Sequence, residues 1–202
     1  MYLILIKILL ILFFISVFIL LYFYNKKDDF PMDVRAINYV KSIENIRLNR
    51  FFKIVTTIGD PTSIVLLTLI ISIIFYRNNL HKDALFFSLN VIIVWLFNEI
   101  LKLIFKRERP HIKVLKVRGY SLPSGHAMVF MAYSIISIYF LILKFNHSWI
   151  IYVVSLIIFF LNISVGLSRV YFRVHYLSDV IAGWYAGFIF TILSIAFHIL
   201  YY

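Results

Sequence analysis

The residues best equipped for chemistry are two histidines, each with basic residues within reach along the chain. His175 and Asp179 stand four apart. On a helix that spacing lets the carboxylate hold one imidazole nitrogen and leaves the other lone pair free to attack an electrophile. Arg169, six residues earlier, carries a planar fork suited to two phosphate oxygens. Pro123-Ser124-Gly125-His126 reads as a helix start. Ser124 suits the N-cap, and the free N–H groups of a first turn bind anions. Gly125 lets an anion approach the backbone, and His126 is placed to donate a proton. Lys102 and Arg109 stand seven residues apart. Two helical turns would set them on one face about 10 Å apart along the axis, with Pro110 closing the helix. Glu99, one turn before Lys102, is expected to pair with it. Each cluster alone has a plainer reading: a basic collar at a membrane edge, a capped helix with an interfacial histidine, or a structural His–Asp pair.

The solvent around these clusters follows from composition. The chain has 202 residues, of which 63% are hydrophobic and 14% charged, and its mean hydropathy is +0.95. A soluble chain averages about 45–50% apolar, so the surplus must be buried in lipid. The length fits a single domain over 1–202. With no cysteine, disulfides and thiolate-held metals are excluded. The net charge of +11 comes without any nucleic-acid-binding motif. Beside apolar spans, basic residues meet anionic headgroups at about 1 kcal/mol each, which is the better account of the excess.

The expected fold class is all-α: a polytopic membrane protein of about six spans plus an interfacial amphipathic helix. A span takes about 20 mostly apolar residues and must be helical, since lipid satisfies no open backbone group. The first, Leu3 to Tyr24, forms an anchor over 1–24. Over 31–58, Val34, Ile37, Val40, Ile43 and Ile46 recur at helical spacing among charges, as in a helix lying on the bilayer. Gly59-Asp60-Pro61 breaks the chain and opens a bundle over 60–202. Its spans are expected at Thr62–Tyr76, Ala84–Phe105, Ser124–Leu143, Trp149–Leu167 and Val180–Tyr202. An even count puts loops 25–60, 106–123 and 168–179 on one face, and all three clusters fall there.

In order and internal spacing, Lys102-x6-Arg109-Pro110, Pro123-Ser124-Gly125-His126 and Ser168-Arg169-x5-His175-x3-Asp179 resemble the three-part signature of the type 2 phosphatidic acid phosphatase (PAP2) superfamily. The resemblance covers roughly residues 60–200, with no departure at the motif positions. It implies that His175 attacks phosphorus and that Asp179 orients it. It implies that His126 protonates the leaving oxygen and then activates water. Lys102, Arg109 and Arg169 would hold the phosphoryl oxygens, with Ser124 and the Gly125 amide completing the cradle. It also implies metal-independent hydrolysis with no cofactor, and a bacterial inner-membrane enzyme acting on a lipid phosphate. Undecaprenyl diphosphate and phosphatidylglycerol phosphate lead the candidates, with lipid A phosphates and phosphatidic acid behind. The oligomeric state is not legible. A lipid phosphotransferase is the alternative within the same chemistry. An anion transporter is the alternative outside it, and would need polar residues deep in several spans. Relatives imply a periplasmic active face. The positive-inside count opposes that, with Lys26, Lys27, Arg47, Arg50, Lys53, Lys106, Arg107, Lys113, Lys116 and Arg118 on the active face against Lys7, Arg77, Lys82 and Lys144 on the other.

Overall fold

The computed structural model describes residue 11 and residues 30–201 other than 116, 146 and 147. The anchor expected over 1–24 therefore lies, apart from one residue, outside the described part. Among the described residues the secondary structure is helical throughout, with no strand. The helices are α1 (Pro31–Ile43), α2 (Ile46–Ile58), α3 (Pro61–Arg77), α4 (His81–Phe105), α5 (Gly125–Lys144), α6 (Trp149–Tyr171) and α7 (Leu177–Tyr201).

Local chemistry explains the breaks. Pro31 and Pro61 each open a helix at a position where no N–H is needed. The stretch expected as one interfacial helix over 31–58 is two helices. Glu44 and Asn45 are extended, and the Asn45 side chain accepts from the N–H groups of Arg47 and Leu48, both at 3.0 Å. That caps α2 and ends the continuity with α1. Helices α2 and α3 meet at Gly59-Asp60 with a bend of 50° and together are long and apolar enough for one broken span.

Four further helices, α4 to α7, are individually long and apolar enough to cross a membrane. They agree with the expected spans to within a turn or so at each end. The outer faces of the bundle, such as Leu69 and Ile73 of α3, Leu89 and Leu96 of α4 and Leu156 and Phe160 of α6, are exposed in the isolated chain and suit lipid. Helix α4 ends at Phe105, short of the Pro110 stop expected from sequence. Lys106 takes a left-handed conformation (φ 46°) and its N–H bonds the Lys102 carbonyl at 3.0 Å. Lys102 and Arg109 therefore do not share a helical face. The reversal turns the next residue, Arg107, inward toward buried carboxylates.

Helix α5 is the centre of the bundle and packs on α4, α6 and α7, with Met128 and Ile136 fully buried. Two glycines let α7 lie against it. A Cβ at Gly187 would sit 2.3 Å from the Met128 carbonyl oxygen, and one at Gly183 would sit 2.7 Å from that of Ser124. Such small-residue spacing is how membrane helices bring their backbones together. Here it joins the first turns of α5 and α7, where the Ser124 N–H bonds the Asp179 carbonyl at 3.0 Å. At the opposite end, Lys144 pairs with Asp83, and Tyr139 and His198 share a hydrogen bond of 2.8 Å.

Candidate active site

His175 lies in the short connection between α6 and α7 and is 2% exposed. Its ring is oriented by two contacts whose chemistry leaves one tautomer. A guanidinium only donates, so Nε2 accepts from Arg109 Nη1 at 2.9 Å. A carbonyl only accepts, so Nδ1 carries the proton and donates to the Ser121 backbone oxygen at 2.8 Å. The lone pair is thus on Nε2. Burial, with the nearby Arg109 and Arg169 charges adding to it and Asp179 opposing, pushes the imidazole down to about 3. The ring is neutral at physiological pH.

Asp179, in the first turn of α7, is placed differently from the simple i,i+4 expectation. His175 precedes the helix, so the carboxylate stands 3.6 Å from Nδ1, farther than the Ser121 carbonyl. Its oxygens take the Ser121 hydroxyl, the Tyr176 N–H at 2.9 Å and Arg107 Nη1 at 2.7 Å. Ser121 therefore stands between the two, with its hydroxyl on Asp179 and its carbonyl on His175.

The cations converge from separate elements. Arg109 is held by the carbonyls of Gly119 and Val174 at 2.9 and 2.8 Å. Burial lowers its affinity for a proton while Asp179 and Glu99 raise it, and the guanidinium stays charged at any physiological pH. Arg169 donates from Nη1 to Thr56 Oγ1 at 2.7 Å and keeps a buried Nε without a protein partner. Lys102 pairs with Glu99 at 2.6 Å, as the spacing implied. Its Nζ would lie 3.3 Å from a Cβ at Gly125, so a glycine there leaves room for the ammonium over the first turn of α5. Ser124 occupies the N-cap position of α5, but its side chain makes no cap bond, and the buried hydroxyl is left unpartnered. His126 bonds Asp60 Oδ1 through Nε2 at 2.8 Å.

These groups border one cavity of about 600 Å³. Lys102, Arg109, Gly125, His126, Arg169 and His175 line it, whereas Ser124 and Asp179 are fully buried and do not. The other wall is apolar, with Ile64 and Val65 of α3, Val91, Ile92 and Trp95 of α4 and Val129 of α5. Val65, Ile92 and Trp95 also face outward, so the cavity continues toward the lipid surface between α3 and α4. An anion at the charged end and a hydrocarbon chain at the other would both be accommodated. Among the described residues no three His, Asp or Glu side chains are grouped to hold a metal ion.

Several partners escaped the sequence reading. Arg107, counted there only as part of a basic loop, bridges Asp179 and the fully buried Asp33 of α1, the latter at 2.9 Å. Burial works against its charge, and the two carboxylates outweigh that and hold it above the ordinary arginine range. Asp33 also accepts from the Ser178 N–H and hydroxyl at 2.8 and 2.6 Å. Arg173 and Tyr176 belong to this scaffold: Arg173 pairs with Glu44 at 3.0 Å and the Tyr176 ring lies 4.2 Å from the Arg107 guanidinium. The available signal was chemical, since an acidic residue next to a span on the cationic face is a costly choice without a partner.

Comparison with known proteins supplies the context. The PAP2 superfamily model matches residues 83–200. Phosphatidylglycerophosphatase B of Bacillus subtilis (strain 168) is 33% identical over 148 residues, which span 69% of this chain and 70% of the relative. A crystal structure of a transmembrane PAP2 type phosphatidylglycerolphosphate phosphatase from Bacillus subtilis superposes with a TM-score of 0.84 at 24% identity, covering 96% of this chain and 97% of the other. Aquifex aeolicus LpxE superposes with a TM-score of 0.65 at 19% identity, covering 84% of this chain and 97% of that one. With the family model spanning more than half of its length, the chain belongs to the PAP2 superfamily.

Proposed function

We propose that this membrane lipid phosphatase hydrolyses the terminal phosphomonoester of phosphatidylglycerol phosphate through a phosphohistidine at His175 Nε2. The observation that carries the reading is the state of His175: neutral, with its one lone pair aimed among cations inside a cavity that has an apolar wall. The 33% identity to a phosphatidylglycerophosphatase supports this substrate over the other lipid phosphates.

In the first step the Nε2 lone pair forms a bond to phosphorus as the bond to the glycerol oxygen breaks. His126 gives that oxygen its proton. Arg109 must first leave Nε2 for a phosphoryl oxygen of the arriving substrate, which frees the lone pair; Lys102, Arg169, the Gly125 amide and the free Ser124 hydroxyl join it there. Phosphoryl transfer depends mainly on such positioning and charge neutralisation. The imidazolium character that develops at His175 is balanced by Asp179 through Ser121. In the second step water attacks phosphorus, His126 takes its proton, and the P–N electron pair returns to Nε2. The acyl chains lie along Val65, Ile92 and Trp95.

A phosphate-release panel in detergent tests this, with short-chain phosphatidylglycerol phosphate, phosphatidic acid, undecaprenyl diphosphate and a lipid A phosphate. Phosphatidylglycerol phosphate is expected to turn over with the highest kcat/KM. A tenfold preference for any of the other three would overturn the substrate assignment. We place the site on the periplasmic side of a bacterial inner membrane. Arg107 is consumed by the scaffold, so it carries less weight in the positive-inside count.

A further inference from the structure

We infer that Asp60 is the positioning residue of His126, holding its Nε2–H so that Nδ1 exchanges the proton in both half-reactions. The inference rests on the phosphohistidine reading above and adds a residue that the three motifs do not contain.

The geometry comes first. Asp60 Oδ1 lies 2.8 Å from His126 Nε2. An ionised carboxylate only accepts, so Nε2 must donate. The neutral ring then has its lone pair on Nδ1, which makes no hydrogen bond to a described residue, and His126 lines the cavity. Asp60 also forgoes an alternative use. It occupies the N-cap position of α3, where an aspartate ordinarily accepts from the free N–H groups of the first turn. Here its side chain makes no such bond and reaches across to α5 instead. The 50° bend between α2 and α3 makes this possible. At that bend a Cβ on Gly59 would lie 3.4 Å from His126 Cδ2 and 2.3 Å from Val165 Cγ1, so the glycine lets the turn press against the imidazole. One turn earlier Thr56 holds Arg169 at 2.7 Å. The broken span thus serves two site residues, and neither contact is needed to make a helix.

The proton accounting closes on this arrangement. Doubly protonated His126 gives its Nδ1 proton to the leaving oxygen as the ester P–O bond breaks, and is left neutral with Nε2–H still on Asp60. In hydrolysis Nδ1 takes one proton from the attacking water as the P–N bond breaks. The ring is then charged again for the next cycle. Asp60 supports each imidazolium state and fixes the tautomer of the neutral one, the role a carboxylate plays behind an acid–base histidine elsewhere.

The test is a cycle of variants in the full-length chain, measured in detergent. D60N is expected to lower kcat on a lipid phosphomonoester by about 10²-fold, the lower end of what a positioned acid–base contributes, with KM within about twofold. Formation of the phosphoenzyme from an aryl phosphate with a good leaving group is expected to fall less than tenfold. Asp60→Glu, which keeps the carboxylate, is expected to recover part of the rate. In the H126A background D60N is expected to cost nothing further. Losses that multiply in the double variant, or equal losses for D60N and D60E, would overturn the inference and leave the reaction reading intact. Full turnover by H126A would overturn both. Thermal unfolding of each variant identifies any that fail to fold. If D60N is one of them, the same comparison in D60S decides.

Discussion

At His175 the fold has placed an imidazole where burial opposes protonation first, Asp179 favours it, and Arg109 and Arg169 add to the opposition. In the unfolded chain the ring takes a proton near 6.5, and in the folded protein only near 3. Between those values the unfolded state binds the extra proton, so stability falls as pH drops through that window, by up to about 1.4 kcal/mol per pH unit for one group. Thermal unfolding in detergent from pH 7 to 4 is expected to show a steeper loss for the native chain than for His175→Gln. Parallel slopes would argue that the ring titrates normally. In catalysis the same shift predicts no acid limb near pH 6.5 from His175 in kcat/KM. The residue-level account also explains what was legible beforehand. His175, His126, Lys102, Arg109 and Arg169, the residues proposed to carry the chemistry, stand in short local spacings. Ser121, Arg107 and Asp33 act through pairings as distant as 145 residues along the chain, and no local pattern encodes those.

Two elements hold the site together, and each has a weak point that a substitution can reach. Helix α1 enters the scaffold through Asp33, which is completely buried and receives Arg107 at 2.9 Å and the first turn of α7 at 2.8 Å. Asp33→Ala would leave Arg107, 16% exposed, with one carboxylate instead of two. Removing one partner of a buried pair costs about 3–5 kcal/mol, and a loss in that range is expected in denaturation, with activity falling because Asp179 loses its anchored partner. A loss below about 1 kcal/mol would show that α1 is a dispensable cover. The second weak point is the α5–α7 contact. At Gly187 the obstacle to a Cβ is the Met128 carbonyl oxygen at 2.3 Å, and backbone cannot rotate away. Gly187→Ala is expected to destabilise by about 1–3 kcal/mol, the usual scale of overpacking, and to slow turnover by shifting Ser124 against Asp179. Unchanged melting would mean that the helices separate freely. Sequence periodicity located these helices well because each span is a long apolar run. It missed the division at Glu44-Asn45 and the early end of α4 because a side-chain cap and an inward-turning arginine decided those points.

For the molecule as a whole, the architecture is a bundle with its chemistry gathered at one end and a smaller polar tie at the other, where Asp83, Lys144, Tyr139 and His198 meet. Membership in the PAP2 superfamily and the placement of the motif residues around one amphipathic cavity describe a membrane lipid phosphatase. Orientation in the bilayer is a separate matter. A reporter fused after Tyr202 is expected to report the cytoplasm, and activity there of a periplasm-specific reporter would reverse the placement. Among these tests, the most direct for the central claim is chemical trapping of the intermediate. Protein quenched during turnover of labelled lipid phosphate should carry phosphate in an acid-labile, base-stable linkage. Peptide mapping should place it on His175, with His126→Ala accumulating more of it if hydrolysis of the intermediate is the slower step for a good leaving group. Turnover that proceeds at the native rate in His175→Ala, or label found on another residue, would contradict the account.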